Sequence, residues 1–518
     1  MDKKKVTIYL SIIIILGILL RLAILLAYDH SIDGDEACFS LMAKHILTKG
    51  EYPIFMWNAH YAGTLQSYFL AIVFFIFGSS GVLFKASMLI FVVFSIYFVF
   101  LLTKYIANEK IALLAALFYS FASGYMSRLS IKIYETSIAL MLLPLAMLFL
   151  CKSIKEERSY QYAILGLTCG ILFWLTPTTV PFLFVVVFSL FFRKNRELFF
   201  KKNSLYVFFF LIGVSPFILY NTTTNFSSFT RLPASLLYMD RSMIEGSNPG
   251  AVIFYTIKGV INSLNIFFLN SKSTFSRAFL VDARGLSIPD IIVSCMYIIS
   301  LIYSFFSLFK KLNNNAKETY FRRTKVFYLL LFLSLWLYVF GIKVYSHRLF
   351  IVYSILPVCL AISIDRVKIY SKKLMFLLVV FLISYNIYSN ILIGEKYKAP
   401  QLQPLISFLK SNNLYYGYAA YNIVYPVVFE SNEDIILSPY DHYYIDRYPY
   451  YTKKVMGSKD ICYIMSSKEF DSVLFEDKLR ILKVQYKKDK VTDFLIYYRF
   501  SKEFSFEEVG LLELFNKG

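Results

Sequence analysis

Long apolar runs separated by short basic clusters constrain this chain more than any other feature. Runs at 6–28, 82–102, 288–309 and 374–393 each approach the ~20 residues that a helix needs to cross the hydrocarbon core of a bilayer. The chain has 518 residues, of which 58% are hydrophobic and 17% charged. A water-soluble fold of that size would be forced to present a greasy surface. The formal charge of +20 invites a nucleic-acid reading. The lysines and arginines, however, sit in short loops between apolar runs, which is the pattern of the positive-inside rule. Nucleic acid is therefore excluded as a partner, and membrane lipid is the solvent. Lys3, Lys4 and Lys5 precede an apolar run too long for a signal-peptide core, with no small-residue cleavage site, so the run is expected to stay as the first span. Six dispersed cysteines without a CxxC pair argue against a disulfide framework or a zinc site.

Charge alternation gives a topology with the N-terminus in the cytosol and the C-terminus outside. The first span, 6–28, runs outward, and an acidic outer stretch follows, with a short amphipathic helix at 38–48. The apolar stretch 61–77 is read as interfacial, because a span there would invert every later loop and place the densest basic clusters outside. Spans are then expected at 82–102, 111–126 and 137–150, as a hairpin over 162–191, and at 205–220, 288–309, 326–342, 349–364 and 374–393. Together they make about eleven spans. From residue 394 the composition shifts to tyrosine and mixed charge. A helical stretch at 402–409 and strand-like runs at 414–420, 434–438, 461–465 and 492–498 predict a small α/β domain. The expected organisation is a transmembrane module, 1–393, followed by an extracytoplasmic domain, 394–518. The protein is expected in the cytoplasmic (inner or plasma) membrane.

The sharpest chemical feature is Asp33-Gly34-Asp35-Glu36, directly outside the first span. Three carboxylates in four residues belong where the chain meets water. One reading is a solvated helix start, with Asp35 or Glu36 helping to cap the helix at 38–48. The other is catalytic: a carboxylate serves as general base, and clustered like charges raise one pKa toward that task. Glu135 follows Arg128 and Lys132 at another predicted outer turn, where a surface ion pair is the plain alternative. His347 and Arg348 stand at the outer end of a span. Arg348 either snorkels to headgroups or grips a lipid phosphate with its planar fork. His60 and Tyr61, close to Trp57, are interface anchors or part of a headgroup pocket. Asp33 and Asp35 form a DxD pair, but too few further ligands accompany it to favour a divalent metal. No cofactor is expected.

These residues resemble a family. Asp35-Glu36-Ala37, then Ala43 and Gly50-Glu51-Tyr52-Pro53, resemble the first outer loop of the C-type (GT-C) glycosyltransferases, in the protein O-mannosyltransferase and aminoarabinose transferase branch. The stretch YAGTLQSYFLA at 61–71, running on to Phe77 and Gly78, is similar to the juxtamembrane helix after that loop. HRLFIVYSILP at 347–357 is similar to the family's Arg-Tyr-led segment. Tyr418 to Asn422, Phe429 to Ser431 and Asp446 to Pro449 resemble the outer domain of bacterial members. The resemblance implies a GT-C membrane fold with juxtamembrane helices. It also implies an inverting transferase that moves a sugar from a polyprenyl phosphate to a protein, lipid or glycan acceptor on the outer face. It casts Asp35 as general base with Glu36 and Asp33 beside it, Glu135 as a second acidic residue, and Arg348 as the group that neutralises the leaving phosphate. Gln66 stands where several relatives carry Glu, and Ala59-His60-Tyr61-Ala62 replaces the family's Lys-Pro or His-Pro-Pro signature.

Readings from other classes remain open at this point. A transporter or lipid flippase calls for charges in mid-span, broken helices and internal repeats. A polysaccharide polymerase or ligase also carries large outer loops, and a non-catalytic receptor would bind a partner through its tail. The acidic residues at span ends and the absence of a repeat favour the transferase.

Overall fold

The structure is a computed structural model. It describes residues 2–28, 32–79, 83–191, 196–229, 288–309, 350–368, 370–396, 400–440, 446–467, 471–504 and 508. The chain divides into two compact units. The first holds Met1–Ala27, His60–Gly63 and Ala86–Tyr397; the second holds Tyr28–Ala59, Thr64–Lys85 and Lys398–Gly518.

The first unit is helical. Its helices are α1 (Lys3–Tyr28), and then, after α2 (Gly34–Thr48), α3 (Leu65–Phe77) and α4 (Leu83–Ala86), the series α5 (Leu89–Ile106), α6 (Glu109–Ser120), α7 (Gly124–Ile131), α8 (Glu135–Lys155), α9 (Ser159–Leu175), α10 (Val180–Phe191), α11 (Arg196–Thr223), α12 (Ile288–Phe309), α13 (Phe350–Val367) and α14 (Lys372–Lys396). Five helices among the described residues are long and apolar enough to cross a membrane: Lys3–Tyr28, Phe84–Ile106, Glu135–Lys155, Lys202–Thr223 and Lys372–Leu392. Shorter apolar helices accompany them. The protein is thus an α-helical polytopic membrane protein, because only closed backbone hydrogen bonding lets so many apolar segments leave water. Helices α9 and α11 pack backbone to backbone through Gly166, Gly170 and Gly213, where a methyl group would strike the facing main chain. Such small-residue contacts are a usual means of association in lipid, where apolar burial supplies no drive. The expected span at 326–342 lies outside the described residues.

One expected span is corrected. The run 111–126 is not a single helix: α6 ends at Ser120 and α7 begins at Gly124. A break in apolar surroundings needs partners for the freed backbone groups, and polar side chains from distant helices supply them. Arg21 of α1, fully buried, donates to Tyr119 O at 3.1 Å and Ser120 O at 2.8 Å. From α14, Asn386 Nδ2 donates to Phe121 O at 2.7 Å and Asn390 Nδ2 to Ala122 O at 2.9 Å. The Ser389 hydroxyl accepts from Gly124 N at 3.0 Å.

The second unit combines α2, α3 and α4 with the C-terminal segment. That segment contains α15 (Gln403–Ser411), β1 (Tyr416–Ala419), α16 (Tyr421–Glu430), β2 (Ile436–Pro439), α17 (Pro449–Met456), β3 (Ile461–Ser466), α18 (Asp471–Ile481), β4 (Lys487–Val491) and β5 (Phe494–Tyr498). The sheet order is β2-β1-β3-β5-β4. β1 runs parallel to β2, with Tyr416 opposite Ile436, and parallel to β3, with Tyr416 opposite Ile461; β5 is antiparallel to β3 and to β4. The three parallel strands are buried nearly throughout, as expected where crossover helices cover the faces. The edge strand β4, Lys-Lys-Asp-Lys-Val, is exposed and charged, which guards its unpaired edge against another chain.

Helix α2 starts at Gly34, four residues before the expected start, because Asp33 caps it. The Asp33 side chain accepts from Glu36 N at 3.0 Å while Glu36 Oε2 accepts from Asp33 N at 3.2 Å. This is a reciprocal capping box. Helix α3 has 13 residues, about 20 Å at 1.5 Å per residue, too short for a ~30 Å core. Phe74, Phe84 and Phe429 pack as an aromatic cluster of edge-on and tilted rings joining α3, α4 and α16. Lys44 Nζ donates to Phe429 O and to Asn432 Oδ1, both at 3.0 Å, a cation placed at the C-terminal end of α16.

Candidate active site

The first-loop carboxylates meet the C-terminal segment inside the second unit. Tyr421, the first residue of α16, donates its hydroxyl to Asp35 Oδ1 at 2.5 Å. Arg447 Nε donates to the same Tyr421 oxygen at 3.1 Å, and Arg447 Nη2 lies 3.6 Å from Asp35 Oδ1. Cys38 Sγ is 3.7 Å from the Tyr421 hydroxyl. Gly34 is required by this packing: a Cβ there would stand 2.6 Å from Tyr421 Cε1. Among the described residues, Asp35 Oδ2 receives no hydrogen bond, and 44% of the side chain remains accessible.

Burial among protein atoms raises the Asp35 pKa above the usual carboxylate range. The Arg447 cation pulls it down, Asp33 pushes it up, and the Tyr421 hydrogen bond pulls it down. Burial, helped by the neighbouring Cys38 and Asp35, pushes the Tyr421 phenol well up. Burial alone would favour neutral Arg447, but Tyr421 and Asp35 outweigh it and raise its pKa, so it stays a cation. The Cys38 thiol is pushed up by burial, which removes it from consideration as a thiolate nucleophile at neutral pH.

The other first-loop acids are engaged differently. Asp33 is the N-cap of α2. Glu36 is fully buried and pairs with the equally buried Lys85, Nζ to Oε2 3.2 Å. Among the described residues no group of three or more His, Cys, Asp and Glu side chains converges as a metal site. Further along α2, buried His45 bridges Glu51 and Glu433, each at 3.1 Å. Lys49 and Tyr451 also reach Glu433, at 2.8 and 3.0 Å.

The remaining sequence candidates belong to the first unit. His60 Nδ1 shares a 2.7 Å hydrogen bond with the Tyr220 hydroxyl, and Tyr61 is half-buried beside it. Arg128 lies half-buried in α7, and Glu135 opens α8. His347 and Arg348 lie outside the described residues. Tyr421 and Arg447 had no role assigned from sequence. Their segments carry part of the family resemblance, but a partner 386 residues away in the chain leaves no local pattern.

Comparison with known proteins agrees with this architecture. Residues 63–220 match the model of the dolichyl-phosphate-mannose-protein mannosyltransferase family. The apo oligosaccharyltransferase of Archaeoglobus fulgidus is similar in structure, with a TM-score of 0.53 at 13% identity, covering 92% of this chain and 71% of that one. The Archaeoglobus fulgidus oligosaccharyltransferase AglB, solved with an inhibitory peptide and a dolichol-phosphate, gives 0.50 at 12% identity over 94% and 74% of the two chains. ArnT from Cupriavidus metallidurans, bound to undecaprenyl phosphate, gives 0.48 at 12% identity over 96% and 98%. Curated proteins yield no sequence match. Residues 63–220 thus resemble a family of membrane mannosyltransferases, and the chain shares the helical fold of a membrane oligosaccharyltransferase.

Proposed function

We propose that the protein is an inverting glycosyltransferase that moves a sugar from a polyprenyl phosphate to a hydroxyl-bearing acceptor on the outer face of the membrane, with Asp35 as general base. The observation that carries this is the state of the Asp35 carboxylate. Oδ1 is held by Tyr421 and faced by Arg447, while Oδ2 is unbonded among the described residues and the side chain stays accessible. A base needs one oriented oxygen within hydrogen-bond reach of the proton it takes. The acceptor oxygen forms a bond to the anomeric carbon from the face opposite the phosphate. The bond from that carbon to the phosphate oxygen breaks, its electron pair leaves on the polyprenyl phosphate, and the acceptor proton passes to Asp35 Oδ2. Arg348 is proposed to meet the charge that develops on the phosphate, as a fixed cation does for a leaving anion. Glu135, Arg128, His60 and Tyr61 are proposed to contact donor or acceptor. The family match supports a hexose, such as mannose, as the transferred sugar.

The transporter reading calls for a charge in mid-span. Arg21 is one, but it is engaged with four oxygens of the protein and has a structural duty. The test incubates purified protein with polyprenyl-phosphate mannose and candidate hydroxyl-bearing acceptors, following release of polyprenyl phosphate in a single turnover. Asp35→Asn keeps the shape and removes the basicity, so the rate is expected to fall by roughly 10²–10⁴ with donor affinity retained. An unchanged rate rejects Asp35 as the base.

A further inference from the structure

We propose that Tyr421 and Arg447 are positioning residues for Asp35, fixing one carboxylate oxygen so that the other is presented to the acceptor. This rests on Asp35 being the base.

The strand order β2-β1-β3 places a topological switch at β1, because the chain leaves β1 toward β2 on one side and later returns to β3 on the other. In open sheets of this kind the carboxyl ends of the strands at the switch are where ligands bind. Tyr421 follows the carboxyl end of β1, and Arg447 lies in the connection that follows β2. Here that edge receives the Asp35 carboxylate.

Residues 446–448 around Arg447 are held by several hydrogen bonds. Arg447 N donates to the Tyr425 hydroxyl at 2.7 Å. The Asp446 carboxylate accepts from Tyr425 at 3.3 Å, from Tyr448 N at 3.2 Å and from Thr452 at 2.6 Å. Asn58 Nδ2 donates to Asp446 O at 2.8 Å.

The guanidinium itself is sparsely bonded. It has five N–H donors, yet Nε makes its only hydrogen bond among the described residues, and buried Nη1 has no partner there. A buried donor left unmade carries a cost, and such groups call for an explanation beyond packing. Arg447 is placed for its charge beside Asp35 more than for its hydrogen bonds. The groups facing Asp35 are Asp33 at the N-cap, Cys38 one turn along α2, Tyr421 from α16 and Arg447 from the loop before α17. Two of the four favour the carboxylate, and both come from the C-terminal segment.

The decisive measurement is the titration of Asp35 itself, in full-length protein in lipid nanodiscs without substrate. Infrared difference spectroscopy reads the protonated carboxyl band that Asp35→Asn removes. Arg447→Gln is expected to move the midpoint to higher pH, because a cation that favours the carboxylate is gone; Tyr421→Phe is expected to move it the same way by less. Tyr421→Phe keeps the ring against Gly34, and Arg447→Lys keeps the charge if the glutamine variant does not fold. With polyprenyl-phosphate mannose, Tyr421→Phe should slow the single turnover roughly tenfold or more, as for loss of a hydrogen bond to a charged group, without weakening donor binding. Midpoints and rates unchanged in Tyr421→Phe, with Asp35→Asn inactive, overturn the positioning role and leave Asp35 as the base. A fully active Asp35→Asn protein overturns the base assignment instead, whatever the titration shows.

Discussion

Arg21→Met should destabilise the helical unit, and the structure sets the size of the effect. The guanidinium donates to Ser130 Oγ at 2.9 Å, Gly17 O at 3.1 Å, Ser120 O at 2.8 Å and Tyr119 O at 3.1 Å. Gly17 O keeps its own helical amide partner, and Ser130 keeps its bond to Ser127 O. The carbonyls of Tyr119 and Ser120, at the end of α6, have no other hydrogen bond among the described residues. Each buried acceptor left unmade costs ~1–3 kcal/mol, so the two together cost ~2–6 kcal/mol. Removing the arginine also relieves its own desolvation penalty, which places the expectation at the lower end, ~2–4 kcal/mol. The unfolded fraction should then rise by at least ~30-fold. The assay is unfolding in mixed micelles of rising SDS content, followed by tryptophan fluorescence, with Leu19→Met on the exposed side of α1 as the control. Arg21→Lys should recover only part, because one ammonium cannot reproduce the fork that reaches two carbonyls at once. If Arg21→Met unfolds at the same SDS content as the control, the idea that Arg21 closes the break between α6 and α7 is wrong.

Two further outcomes are expected. Burial alone would raise the Glu433 carboxyl, but the hydrogen bonds and charges of His45 and Lys49 win and hold it down at about 2, against 4.5 unperturbed. A depressed carboxylate contributes stability above its unfolded pKa and loses it as pH falls toward the folded one, so the second unit should weaken between pH 4.5 and about 2; Glu433→Gln should flatten that slope in a pH series of unfolding midpoints, and an identical slope in both proteins refutes the assignment. Gly34→Ala puts a methyl against the Tyr421 ring and should cost ~1–3 kcal/mol by overpacking; a double-mutant cycle with Tyr421→Ala should show most of that cost vanishing once the ring is gone, and simple additivity would disprove the contact.

Much of the fold was legible in local sequence. Apolar runs bounded by charge mark helices wherever lipid is the solvent, because length and composition suffice when every backbone group bonds within its own segment; 288–309 is expected and found with the same limits. The composition change at 394 announces the α/β segment, and 461–465 is recovered as β3. The cap was expected from Asp35 or Glu36 at a helix starting at 38; Asp33 is the N-cap instead, and Glu36 completes its box. Other elements left weak marks. Helix α16 is rich in valine and contains Pro426, a composition that argues against helix in isolation, and tertiary packing overrides it. Strand β4 has no apolar alternation, because its place at the sheet edge asks for charge.

The candidate site divides the same way. Asp33, Asp35 and Glu36 advertise themselves as carboxylates at the water boundary, which is a local electrostatic fact. Their separate duties are not local: Glu36 answers Lys85, and Asp35 answers Tyr421 and Arg447 from the far end of the chain. The break at 121–123 carries only a weak local mark, Ser123-Gly124, and its cost is met by Arg21, Asn386, Ser389 and Asn390 from helices distant in sequence. Sequence by itself determined that this chain spans a membrane, where most of its long apolar helices run, and that a carboxylate cluster stands at the end of the first one, because hydrophobicity and charge act over a few residues. Only the tertiary structure decided which carboxylate keeps an open oxygen and which is locked in an ion pair, because buried hydrogen bonds and charges are settled by whichever groups the fold brings within about 3 Å.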